Sequence, residues 1–143
     1  MIRVVALAAA LAGLAMASPA WACRCKEPTA AAAVAASKMA IVGTVASVRQ
    51  VGPNAFDYEV VAEQAWGAAR LGKVIVRSQG MCRFEMKKDA RYLLFLQPTP
   101  PGVIQTSICM GNKGAGDMAR TVSLLEARGS TEPKAANAAK PCS

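Results

Sequence analysis

Five cysteines, Cys23, Cys25, Cys82, Cys109 and Cys142, all follow a segment with the grammar of an export signal, and this pairing constrains the fold more than any other feature. Arg3 is a short basic start, Val4 to Ala17 is an apolar Ala/Leu-rich stretch, Ser18 and Pro19 break it, and Ala20-Trp21-Ala22 presents small residues where signal peptidase reads them. The apolar stretch is too short to span a bilayer comfortably. Residues 1–22 are therefore expected to be a cleaved signal peptide, leaving a chain exported to the periplasm or the extracellular space with no transmembrane anchor. An oxidising compartment favours disulfides. Five cysteines permit two bridges and a leftover thiol, in many pairings, and Cys142 in its Ala/Lys/Pro tail is the expected odd one out. No Cys-x-x-Cys pair points to a zinc cluster. Cleavage immediately before an acylated Cys23 is a second reading of the leader, although the bulky Trp21 fits a lipoprotein site poorly.

The 143 residues include no histidine, which removes Ser-His-Asp and Cys-His catalysis and imidazole metal sites. Loss of Arg3 with the leader makes the mature chain one charge less basic than the full-length +8. Its length suits one core and one domain.

Periodicity reads mostly as strands. Residues 28–38 (PTAAAAVAASK) read as a short helix opened by Pro28 and Thr29. Residues 39–49 read as a strand with a bulge or bend at Gly43, followed by a turn at Gly52-Pro53-Asn54. From Phe56 to Trp66 the residues alternate, with Phe56, Tyr58, Val60, Ala62 and Trp66 on the inner face and Asp57, Glu59 and Glu63 facing water. Residues 73–78 and 91–97 are further strands, the second apolar on both faces. After a rigid turn over residues 98–102 a fifth strand runs over 103–108 and ends at Cys109. Residues 111–116 (GNKGAG) read as a flexible loop, and Asp117 is placed to cap a final helix through Arg128 whose inner face carries Val122, Leu124 and Leu125. Residues 129–143 are polar and Ala/Lys-rich and are expected to be disordered. Five strands with a helix near each end suit an all-β fold, a small five-stranded OB-like closed barrel, and a small open sandwich satisfies the same periodicity.

The N-terminal Cys23-Arg24-Cys25-Lys26-Glu27-Pro28, the Gly43-x-Val45 strand, Tyr58-Glu59-Val60, the 78–82 loop, Tyr92-Leu93-Leu94-Phe95 and Thr106-Ser107-Ile108-Cys109 occur in an order that resembles the N-terminal domain of the tissue inhibitors of metalloproteinases and the wider netrin-like module family. The resemblance covers residues 23–128. It favours the barrel over the sandwich and implies bridges Cys23–Cys82 and Cys25–Cys109. It also implies a mechanism in which the α-amine and carbonyl of Cys23 chelate the zinc of a metallopeptidase. Arg24 would enter the pocket beside that zinc, and Cys25 with the loop Ser78, Gln79, Gly80, Met81 and Cys82 would flank the contact. Arg24 stands where the family usually carries Thr or Ser, and its charge calls for an acidic pocket.

The expected partner is thus a protein, a zinc metallopeptidase in the first reading. The alternative is a non-inhibitory adhesion or envelope-binding module that meets an anionic surface through Arg70, Lys73, Arg77, Arg83, Lys87, Lys88 and Arg91, which outnumber Glu85 and Asp89 in the same stretch. Nucleic acid is not an expected partner, because Phe56, Tyr58 and Trp66 fall on the inner face. No cofactor or resident metal is expected. Methionine beside cysteine (Met81-Cys82, Cys109-Met110) reads as core packing. No carboxylate pair is placed for acid–base work, so no enzyme activity is expected.

Overall fold

The structure, a computed structural model, describes residues 23–129. Residues 1–22, expected to be a signal peptide, and residues 130–143, which include Cys142, lie outside it. In chain order come helix α1 (Ala30–Ala36), strands β1 (Met39–Gly52), β2 (Ala55–Gly67), β3 (Gly72–Gln79), β4 (Arg91–Thr99) and β5 (Val103–Thr106), a 3-10 turn (Ile108–Met110), a two-residue strand β6 (Lys113–Gly114) and helix α2 (Ala119–Arg128). The described residues are mostly β, with two helices. Among the described residues no helix is long and apolar enough to cross a membrane.

Five strands close on themselves in the order β1-β2-β3-β5-β4, with β4 pairing back to β1. All pairs are antiparallel except β3–β5. β6 adds to β4 along the edge that β5 leaves free. The extended residues 103–108 therefore divide: the strand stops at Thr106 and the chain turns before Cys109. The turn at 98–102 is also narrower than the proline content suggests, because Pro98 and Thr99 remain in β4, paired with Ile104 and Val103. The supposedly flexible 111–116 loop contains β6.

β1 and β4 are buried on both faces because each lies between the ring interior and the helices. Met39, Ile41, Val45, Leu94 and Leu96 point into the ring with Tyr58, Val60 and Val76. Ala40, Val42, Leu93 and Phe95 point outward, where Ala33 and Val34 of α1, Met118 and Leu125 cover them. Thr29 caps α1, its hydroxyl accepting from the Ala32 N–H at 3.2 Å. The two helices are joined by Arg128, which donates to the carbonyls of Val34 and Ser37 at the C-terminal end of α1. Asp117 does not cap α2. Its N–H closes a turn onto the Gly114 carbonyl, and the cap position falls on Met118, whose burial in the outer cluster fixes where the helix begins.

Gly43 marks the expected bulge. The register between β1 and β2 slips there, with Val42 opposite Gln64 but Gly43 opposite Ala62, so Glu63 is the extra residue of β2. A Cβ at Gly43 would sit 2.5 Å from the Val61 carbonyl oxygen and 2.8 Å from a Val60 methyl. The bulge also inverts the faces of β2. Phe56, Tyr58, Val60 and Ala62 serve the ring interior as the alternation requires, but beyond Glu63 it is Ala65 that points inward, and Trp66 joins the outer cluster beneath the helices. Trp66 is thus on the opposite face from the one its parity assigns.

Asp57 also departs from expectation. It is buried, accepting from Arg77 Nε and Nη2 at 2.7 and 2.9 Å and from Arg49 Nη2 at 3.3 Å. The Arg77 hydrogen bonds outweigh burial and hold the Asp57 carboxyl below its ordinary pKa, while Asp57 holds Arg77 protonated. Glu59 and Glu63 keep to the solvent face, paired with Lys73 at 3.4 Å and Arg91 at 2.9 Å.

Two variants test this framework. Gly43→Ala forces a methyl against backbone and is expected to lower unfolding free energy by about 1–3 kcal/mol in denaturant titration. Asp57→Asn is expected to cost about 2 kcal/mol at pH 7. Because the folded pKa of Asp57 lies below the unfolded value of about 3.9, its contribution is complete above that value and lost as pH falls through the folded pKa. The stability gap between Asp57→Asn and the unsubstituted chain should therefore close in strong acid.

Candidate functional site

The chain from Cys23 to Thr29 is neither helix nor strand, so only side-chain ties can place it. Two disulfides do so: Cys23–Cys82 and Cys25–Cys109, with Cα separations of 5.2 and 5.4 Å. Cys82 lies just past the end of β3 and Cys109 just past the end of β5. Those ends are neighbours because β3 and β5 run parallel, with Ser78 opposite Thr106. Two side chains on one short extended segment can therefore reach both. The Ile108 N–H donates to the Cys82 carbonyl at 3.0 Å, which ties the two receiving loops to each other. Further along the segment, Glu27 pairs with Lys113 of β6. The bridges close loops of 59 and 84 residues, each worth about 4 kcal/mol in the chain-entropy model.

The four sulfurs lie within 4.8 Å of one another, with Cys23 Sγ 3.6 Å from Cys25 Sγ and 3.9 Å from Cys109 Sγ. Joined in pairs, they have no thiolate to offer a metal.

Around this clamp the expected contact residues separate into two groups. Arg24 and Cys25 are exposed, and Arg24 makes no ion pair among the described residues. Gln79 and Gly80 are exposed beside them, and Cys82 is half-buried. Gly80 is in the left-handed region, with φ of 79°, and its N–H donates to the Asn54 carbonyl of the β1–β2 turn at 2.8 Å. Met81 is 66% exposed, which corrects its assignment to the core. Ser78 does not belong to this surface. It is fully buried, and its hydroxyl accepts from the Phe84 N–H at 2.6 Å, holding the loop after Cys82 against the ring. Its parity on β3 turns it inward, so it shapes the contact loop without being presented by it. Ile108, 41% exposed and bonded to the Cys82 carbonyl, is a surface member that periodicity placed in a strand.

Asn112 was hidden in the Gly/Lys-rich loop. β5 has ended and β6 has not begun where Phe95 needs a partner on that edge of β4, so side chains complete the ladder. Asn112 Oδ1 accepts from the Phe95 N–H at 2.8 Å, and Thr106 Oγ1 donates to the Phe95 carbonyl at 2.8 Å. Asn112 Nδ2 then donates to Thr106 Oγ1 at 2.7 Å and to the Ser107 carbonyl at 3.0 Å. Cys109 lies between these anchored residues, so the network sets the height at which the second bridge is received.

The cations between Arg70 and Arg91 do not form a bare field. Lys73, Arg77, Arg83 and Arg91 are paired with Glu59, Asp57, Glu85 and Glu63. Arg70, Lys87 and Lys88 make no ion pair among the described residues.

No protein-family model matches the chain, and no curated protein matches it.

Asn112→Ala leaves the Phe95 N–H unpaired in the interior and is expected to lower unfolding free energy by about 1–3 kcal/mol. Hydrogen exchange should then show faster exchange at Phe95 and at residues 107–110 than in β1 or β2, reporting a loosened receiving loop for Cys25.

Proposed function

We propose that this chain is an exported inhibitor of a zinc metallopeptidase, built on an OB-like closed barrel, and that its N-terminal residue is the zinc-directed group. The observation that carries this reading is the clamp: an irregular, exposed Cys23-Arg24-Cys25 segment bridged at its first and third residues to two adjacent strand ends. Its disulfides suit an oxidising compartment. Signal cleavage after Ala22 frees the Cys23 α-amine.

An α-ammonium with a pKa near 8 releases its proton to water readily, freeing a nitrogen lone pair for a Lewis acid, and the Cys23 carbonyl oxygen supplies a second donor from the same residue. Together they chelate the zinc of the target and occupy the position of its attacking water. Zinc here belongs to the target, as the metal this chain addresses. Because both bridges form before any encounter, docking freezes few backbone torsions. Arg24, exposed between the bridged cysteines, enters the pocket beside the metal. An unpaired guanidinium in an apolar pocket costs several kcal/mol, so the target is one with an acidic pocket wall. Gln79, Gly80, Met81 and Ile108 form the flanking contact, where Met81 and Ile108 contribute apolar area.

Retaining one residue before Cys23 moves the amine away from the carbonyl and removes the chelate. Inhibition across a panel of zinc metallopeptidases is expected to fall at least 100-fold for such an extended protein while its thermal stability is unchanged. Equal inhibition by the extended and unextended proteins would rule the chelate out. Arg24→Thr is expected to weaken inhibition of a peptidase with an acidic pocket and to improve inhibition of one with an apolar pocket.

A further inference from the structure

At the end of the ring remote from the bridges, the wall between β3 and β5 is incomplete. The two strands pair only from Val76 to Ser78 against Ile104 to Thr106, so the first half of β3 has no strand partner on that edge. A cavity of about 460 Å³ opens there, within the ~300–1,000 Å³ usual for small-molecule sites. Its floor is the apolar ring interior at Met39, Ile41 and Leu96, and Ile104 stands at its side. Its rim is cationic: Arg70 in the β2–β3 loop, Lys73 at the start of β3, and Arg77.

Arg77 is the polar centre of the site. Two of its five N–H donors bind Asp57, and the remaining donors have no acceptor among the described residues. Asp57 offers little repulsion to an incoming anion, since both of its oxygens already accept from guanidinium groups. Arg70 makes no ion pair among the described residues. An apolar floor beneath oriented, partly spent cations matches a ligand with an apolar body and a single anionic head.

We propose that this cavity binds a small anionic amphiphile of the long-chain carboxylate type, with its head on Arg77 and Arg70 and its chain directed into the ring mouth. The site is separate from the Cys23 clamp, being lined by the starts of β3 and β5 where the bridges are received beyond their ends.

The test is calorimetric titration of the full exported protein with dodecanoate below its aggregation threshold, with dodecanol as the uncharged control. Saturable one-to-one binding of dodecanoate is expected, with dodecanol binding at least ten-fold more weakly. The Arg70→Gln/Lys73→Gln double variant changes exposed side chains only and is expected to lower dodecanoate affinity about ten-fold, the effect of roughly 1.4 kcal/mol of lost ion pairing. Val103→Trp, which fills the cavity from its rim, is expected to abolish binding with the circular dichroism spectrum retained. Absence of saturable binding, equal affinity for dodecanoate and dodecanol, or indifference to both variants would overturn the proposal. Binding to phosphatidylglycerol vesicles without binding to dodecanoate would replace it with recognition of a lipid surface.

Discussion

β1 is the strand on which the rest of the structure depends, because it pairs along both edges and closes the ring. Its first half is opposed by β2 on one side and by β4 on the other. A strand flanked on both edges must also bury both faces here, since the ring interior lies on one side and the helices on the other. The sequence from Met39 to Val45 meets that demand with small and β-branched residues on both faces. Sharp curvature comes with closure, and the extra residue opposite Gly43 accommodates it. Without that bulge, Trp66 would point into an interior already filled by Met39, Leu94 and Leu96. The bulge delivers it instead to the outer layer, where α1 and α2 need a large apolar contact.

Closure determines where the N-terminal segment can be held. In a ring ordered β1-β2-β3-β5-β4, β3 and β5 are the neighbours that run parallel. Their ends therefore meet, and the loops that follow them lie side by side. A segment with no hydrogen-bond ladder of its own would fray in water. Two bridges to those loops replace the missing ladder with covalent ties. The cost of ordering a few residues, about 1–2 kcal/mol each, is covered by bridges worth about 4 kcal/mol apiece. The Asn112–Thr106–Phe95 network extends the same principle, as side chains stand in for a strand that has run out.

Much of this was legible in the sequence because it is local or covalent. The alternation of Phe56, Tyr58 and Val60, the two-sided apolar run at Leu93 to Leu96 and the Thr29 start of α1 each reflect a residue's own backbone preference or parity, whereas Gly43 marked the place of the bulge but not that its extra residue, Glu63, lies on β2. The bridges followed from a resemblance in cysteine placement. What was not legible depends on a partner elsewhere in the chain. Trp66 changed face because of a slip against β1. Asp57 left the solvent face because Arg77, opposite it on β3, and Arg49 on β1 enclose it. Asn112 looked like loop composition because nothing in Gly-Asn-Lys-Gly announces a gap in the ladder of β4. Ser78 lies in sequence beside exposed Gln79 and Gly80, yet strand parity turns it inward with Val76.

The parallel neighbours also separate the molecule into two chemically independent ends. Both β3 and β5 start at one end, after the β2–β3 and β4–β5 turns, and finish at the other, where the cysteines receive the N-terminal segment. Covalent rigidity is concentrated where the strands finish. β5 is too short to extend alongside the start of β3, so their pairing is confined to three residues. A ring that joined β3 and β5 along their full length would have no opening to its apolar interior, whereas one lacking the bridges would have no ordered N-terminal segment. Because the Val76–Ser78 pairing lies between the two ends, substitutions on the cationic rim leave the cysteine loops braced by β5, Thr106 and Asn112. Each end can therefore vary in residue chemistry without altering the register that holds the other.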